Sequence, residues 1–260
     1  MSQLESLRLP AIHARGGGHE GFSKLGGLPD VPADFVWPEW KGAPLAFLAQ
    51  ISLEEVASVF QSPLLPPSGF LYFFYNQEQS TWGFDPKDKG SWAVFYFDHP
   101  RNTFKPFSIP TGLNQECVWR EKKLGFKLVQ LLPDLSDHAL EGIKFDDAQF
   151  DAFDDLRQSV YEKHPAHQLL GYPSPVQNPM ELECQLVSNG LYCGDSSGYE
   201  NARAAALKEG ASEWRLLFQL DTDDDTGMMW GDAGMLYFWM KESDLLAKNF
   251  DGAWMILQCC

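Results

Sequence analysis

The sequence predicts an α+β fold, internally duplicated into two pseudo-equivalent lobes of largely antiparallel sheet with interspersed helices. Three observations lead there. Four sequence blocks occur twice in the same order, and the last three of them have the length and composition of strands. Helical patterns fall between strand clusters without the regular strand–helix alternation of a parallel sheet.

Leu25-Gly26-Gly27-Leu28-Pro29 opens the first series, and Leu169-Leu170-Gly171-Tyr172-Pro173 opens the second. Phe47 to Ile51 is then matched by Leu216 to Leu220, Gly69 to Phe73 by Gly234 to Phe238, and Trp92 to Phe95 by Trp254 to Leu257. The last three blocks are short apolar runs rich in aromatic and β-branched residues, bounded by Gly, Pro or Asp, which is the signature of strands. Their near-continuous hydrophobicity predicts strands covered on both faces. Gln50 and Gln219 are polar at matching positions inside these runs. An unpaired buried amide costs roughly 1–3 kcal/mol, so both are expected to bond to backbone or to the opposite lobe.

Ser52-Leu53-Glu54-Glu55 is a capping-box pattern opening a helix through Phe60, with Pro63 just beyond. Asp147 to Lys163 sets Phe150, Phe153, Leu156 and Val160 on one stripe, predicting a central amphipathic helix over 146–164 between the two copies. Glu200 to Glu209 is alanine-rich and stops at Gly210, and Glu242 to Lys248 reads as a shorter helix. The expected organisation is an N-terminal arm over 1–21, set off by Gly16-Gly17-Gly18, then one domain over 22–260. That domain is expected to hold lobe A at 22–145 and lobe B at 165–260, sharing one core.

With 20 Lys plus Arg against 36 Asp plus Glu, the formal charge is −16. Such a surface repels nucleic acid and anionic lipid, so neither is expected as a partner. No apolar run is long enough to cross a bilayer, and Met1 to Arg15 lacks a signal peptide's apolar stretch. The five cysteines are odd in number and form no C-x-x-C pair. Together these features predict a soluble protein of the reducing cytoplasm.

Two segments carry candidate chemistry. Asp221, Asp223, Asp225 and Asp232 occupy the first, third, fifth and twelfth places of a loop, a spacing that suggests calcium or magnesium. Gly227 falls at the seventh place instead of the sixth, and the flanks read as strands, so a solvated hairpin loop is the competing reading. Gly194-Asp195-Ser196-Ser197-Gly198 satisfies the Gly-x-Ser-x-Gly pattern of a nucleophile elbow, with Ser196 and Asp195 as candidates and His167 the nearest base in sequence. All six histidines precede Ser196, against the chain order of the α/β-hydrolase triad. A capped helix start is the competing reading there. Trp82, Trp230 and Tyr199 sit in expected loops beside Gly or Asp and are candidates for a binding surface.

Several stretches, taken together, carry a resemblance. They are Ser23 to Pro32 followed by Trp37-Pro38, Trp82-Gly83-Phe84-Asp85, His167 to Pro173, Tyr192 to Gly198, and Met228-Met229-Trp230-Gly231-Asp232. With these, the chain resembles the YwqG-like family of bacterial domains of unknown function from about Phe22 onward. The resemblance implies no catalytic residue, cofactor or substrate. Some relatives lie near secreted-toxin genes, which implies an immunity-like, partner-binding role. The expected function is a non-enzymatic module that binds a protein or small ligand in a cleft between its two copies. The alternative is a metal-assisted hydrolase using the acidic cluster of the second half.

Overall fold

A computed structural model describes residues 6–17, 21–140, 142–161 and 165–260. The strands are β1 Leu9–Gly16, β2 Lys24–Leu25, β3 Asp30–Val31, β4 Glu39–Trp40, β5 Ala43–Ser52, β6 Phe70–Asn76 and β7 Trp92–Phe97. They continue with β8 Lys105–Pro106, β9 Lys122–Leu131, β10 Gln168–Leu169, β11 Trp214–Asp221, β12 Met235–Lys241 and β13 Trp254–Gln258. The helices are short: α1 Leu53–Ala57, α2 Asp147–Gln158, α3 Glu181–Ser188, α4 Ala204–Leu207 and α5 Glu242–Leu246. None among the described residues is long and apolar enough to cross a membrane.

Ten strands follow one antiparallel path, β13-β12-β11-β10-β1-β9-β2-β5-β6-β7, with β4 attached to β5 and β3 paired with β8 in a separate ribbon. The path curls into a nearly closed barrel. Its two ends meet without strand pairing. Leu257 N donates to Trp82 O at 3.0 Å, Trp92 Nε1 to Ala253 O at 2.9 Å and Trp254 Nε1 to Gly83 O at 2.8 Å, while the Trp92 and Trp254 rings pack edge to face at 4.9 Å. Inside, Phe73 of β6 meets Phe218 of β11 at 4.7 Å and Phe238 of β12 at 5.0 Å, so aromatic side chains fill the barrel.

The expectation of an α+β fold with two lobes is overturned: the protein is mostly sheet, and both series of blocks belong to one barrel. Pairing of the strands that open each half explains why separate lobes do not form. β1, which precedes the first series, pairs with β10 of the second, whereas β9, which precedes the second, pairs with β2 of the first. β1 and β9 also pair with each other over eight residues. Leu9–Gly16, expected in a loose arm, is therefore a central strand. Lys122–Leu131 lacks an apolar run and is half exposed, which is why its strand is not visible in the sequence.

Within that barrel the matched blocks take matching positions. Lys24 pairs with Gln50 and Leu25 with Ala49, just as Gln168 pairs with Gln219 and Leu169 with Phe218. The pairing of β5 with β6 slips past Leu48, and that of β11 with β12 slips past Leu217. Gly26 and Leu170 both adopt φ 59°, and each donates its N–H to the carbonyl of the slipped leucine in its own arm. A side chain at Gly26 would meet Arg120 O at 2.5 Å, so glycine is required there on steric grounds as well. The two buried amides are both satisfied by backbone. Gln50 accepts from Asp30 N and donates to Phe22 O, and Gln219 accepts from Ser174 N and donates to Ala166 O, all at 2.8 Å.

The helix predicted over 146–164 forms as α2 over Asp147–Gln158, capped by a complete Asp146–Gln149 box, and residues 162–164 of the predicted span lie outside the described residues. Only Phe153 of its stripe is buried, against Leu132 and Leu140 in a small satellite cluster, while Phe150 and Leu156 are exposed. At α1, Ser52 caps Glu55 N as predicted. The Glu55 carboxylate instead reaches across to Phe22 N and Ser23 N. The alanine-rich segment is helical only over Ala204–Leu207 before tightening into a 3₁₀ turn, and α3 is a helix the sequence pattern does not announce.

Candidate functional site

The acidic loop joins β11 to β12; the carboxylates of Asp221, Asp223 and Asp225 are engaged by protein, whereas Asp232 is exposed. Asp223 is buried, and its Oδ2 lies 2.8 Å from Lys122 Nζ and 3.1 Å from His167 Nε2. Lys122 Nζ also reaches Asp225 Oδ2 at 2.9 Å, and Asp221 Oδ2 accepts from Ala166 N at 2.7 Å. Arg120 holds the loop from the same side, donating its N–H to Thr226 O and its guanidinium to Asp224 O. Among the described residues no three His, Cys, Asp or Glu side chains are grouped to hold a metal ion. The Lys122 ammonium bridges Asp223 and Asp225, two of the four carboxylates that the calcium-type reading takes together with Asp221 and Asp232. Burial pushes the Asp223 carboxyl up, but the hydrogen bonds from His167 and Lys122 and the lysine's charge overcome it. They hold the group well below the usual carboxylate range.

His167 cannot serve Ser196. Its Nδ1 accepts the N–H of Asp221 at 3.1 Å, which places the ring proton on Nε2, where it is donated to Asp223. The ring is buried and lines neither of the concavities described here. The Gly194 turn also lacks the geometry of a nucleophile elbow: no strand precedes it, and α4 begins only at Ala204. Asp195 Oδ1 accepts from Ser197 N at 2.9 Å in a local turn. The two glycines are there for packing. A side chain at Gly194 would collide with Tyr192 and Phe84, and one at Gly198 with Tyr192 O.

Trp230, read as a surface candidate, is fully buried between Tyr75 and Trp119 and donates Nε1 to Asp221 O. A large indole beside a polar loop fills the base of that loop because its apolar area gains most from burial.

Trp82, Tyr199, Asp195 and Ser196 do come together. They line a cleft of about 1270 Å³ at the seam where the barrel closes, while the acidic loop borders a separate depression of about 630 Å³. Several pieces of chain build the cleft. Trp82-Gly83-Phe84 docks on the edge of β13, where Gly83 is so close to Met255 O that an added Cβ would lie at 1.9 Å. Cys193 N donates to Phe84 O and ties the 193–199 turn to that loop. α3 and α4 form the far wall, with α3 held by Trp214 Nε1 donating to Gln185 Oε1.

The residue missed from sequence is Glu183. It lies in the first turn of α3, is half-buried and faces the cleft. Burial alone pushes its carboxyl up to about 7. Nearby Cys193 is pushed up to about 12, first by burial and then by the carboxylate, and Tyr199 is raised for the same reasons. Glu181-Leu182-Glu183-Cys184 carries no motif that distinguishes one glutamate from the other, so only the fold identifies it.

Comparison with curated proteins gives no match. A family model described as a domain of unknown function, DUF1963, matches residues 23–259. The match includes the seam loop, α3 and the 193–199 turn, so every residue lining the cleft lies within the matched span. The chain belongs to this DUF1963 family of domains of unknown function.

Proposed function

We propose that this protein is a binding module without a catalytic role, and that it takes a small organic molecule into the cleft at the barrel seam. The observation that carries the reading is the convergence of Trp82, Phe84, Leu182 and Tyr199 with a few polar groups around one large concavity. Small-molecule sites have this character: a mostly apolar wall with a few placed polar groups for orientation. The immunity-like, partner-binding role implied by the YwqG-like resemblance is compatible with a cleft of this kind and forms the protein-ligand version of the same proposal.

A thermal-shift screen of small amphipathic compounds on the full chain tests it, with Ala205→Trp as the blocking variant. Ala205 is exposed and lines the cleft, so an indole there fills the space without entering the core. Ligand at 100 times its Kd stabilises a fold by about 2.7 kcal/mol. The expected outcome is compounds that raise the wild-type melting temperature and leave Ala205→Trp unmoved. Equal shifts in both proteins, or no shift from any compound, would overturn the proposal.

A further inference from the structure

We propose that Glu183 selects the charge of the occupant, so that the cleft takes a primary amine on an apolar body. The ammonium sits at the Glu183 carboxylate and the body lies along Trp82, Phe84 and Leu182. This rests on the cleft being a binding site and adds the chemical class of what it binds.

The argument is a contrast within one molecule. Other partly or fully buried carboxylates have partners close by. Asp223 has Lys122 and His167, Asp221 has Ala166 N, Asp30 has Lys24 at 3.1 Å, and Glu55 has two backbone N–H groups. Among the described residues no hydrogen bond or ion pair reaches the Glu183 carboxylate, and burial is the single influence on its proton affinity. An unpartnered carboxylate on the wall of a largely apolar cleft is costlier to ionise than one in open water, and a cation brought by a ligand offsets that cost. An ammonium also suits the aromatic wall, because ring faces attract cations. The protein's net charge of −16 favours the approach of cations over anions.

The groups around Glu183 are Cys184 on its own helix and Cys193 and Tyr199 from the facing turn, all raised by burial and so uncharged near neutrality. His138, Lys208, Glu209 and Asp195 stand on the same lining. The ammonium therefore meets its main counter-charge at Glu183, and amine affinity rises with pH as that carboxyl ionises through about 7.

Isothermal titration with three matched probes tests this: 2-phenylethylamine, 2-phenylethanol and 3-phenylpropanoate, on wild type and Glu183→Gln at pH 6 and pH 8. The expected result for wild type at pH 8 is amine binding at least about tenfold tighter than alcohol, with the acid weakest; a tenfold ratio is the scale of one modest charge-assisted contact. The amine's advantage shrinks at pH 6 and is lost in Glu183→Gln, which still binds the alcohol and so reports a folded cleft. A His138→Gln variant keeps the wild-type pH profile. Equal amine and alcohol binding on wild type would overturn the role of Glu183 while leaving the cleft as a ligand site. Binding of none of the three probes would overturn both for ligands of this size.

Discussion

Asp223 is a buried carboxylate and Glu183 a half-buried one on the wall of a cleft, and they end in opposite states. Asp223 lies where β9, β10 and the β11–β12 loop converge, and each contributes: Lys122 brings a charge, His167 an N–H, and the loop its own turn. Glu183 lies on a helix that faces the cleft, where no other element of the described chain makes a hydrogen bond or ion pair to its carboxylate. The difference teaches how to separate a structural carboxylate from an available one. Sequence spacing singles out Asp223, because acidic residues alternate there, but the fold has already given that carboxylate its cation. The unmarked glutamate is the one left to meet something from outside.

The largest effect that would break this contrast comes from Asp223→Ala. It strands a lysine and an oriented histidine in a site where the Asp223 side chain is 1% exposed. Losing one member of such a buried pair costs about 3–5 kcal/mol, which urea unfolding at pH 7 measures. The sign with pH follows from a folded-state proton affinity below the ordinary value of 3.8. The carboxylate's contribution is complete above that value and is lost as pH falls through and below it, so the variant lacks this part of the wild type's acid sensitivity. A loss under 1 kcal/mol would mean that the network around Asp223 holds nothing together.

Glu183→Gln sharpens the comparison from the other side, with an expected gain of about 1–2 kcal/mol at pH 8 in the absence of ligand. In the folded protein the carboxyl is raised to about 7, against an ordinary 4.5. Wild-type stability therefore falls as pH rises between those two values and is level above them, whereas the glutamine variant has no such decline. The two proteins should be close at pH 4.5 and separate by pH 7. Parallel stability curves across that range would show that Glu183 has a partner of its own.

The smallest effect belongs to Asp225, whose side chain is 78% exposed at the outer end of the same lysine. Asp225→Ala should change stability by less than about 1 kcal/mol, the usual worth of an exposed ion pair. Calcium or magnesium should leave the melting temperature of the wild type unchanged, because Lys122 already bridges Asp223 and Asp225. A rise with calcium that disappears in Asp225→Ala would show that the ion displaces the lysine.

How much of this was legible depends on where each signal resides. Ser52 capping α1, the strands around Phe47, Phe70, Trp92, Leu216, Met235 and Trp254, and the matched roles of Gln50 and Gln219 all follow from local pattern. Hydrophobic runs, turn residues and a polar position inside an apolar strand report on their own surroundings. β9 stayed hidden because it is partly exposed and carries Lys122, Lys123 and Lys127 in place of a continuous apolar run, so its strand state comes from pairing with β1 rather than from its own composition. Trp82 and Tyr199 were recognisable as candidates for contact, whereas Trp230 carried the same local signs and is buried.

The sequence by itself determined the aromatic strands of the repeated blocks and their order in each half, because backbone propensity and side-chain periodicity act over a few residues. Only the tertiary structure decided that the two opening strands cross over to make one barrel. The same level decided that Lys122 answers Asp223 from 101 residues away and that Glu183 has no such answer. Partnering between distant side chains is set by where the closed sheet brings them, and no short-range pattern encodes that distance.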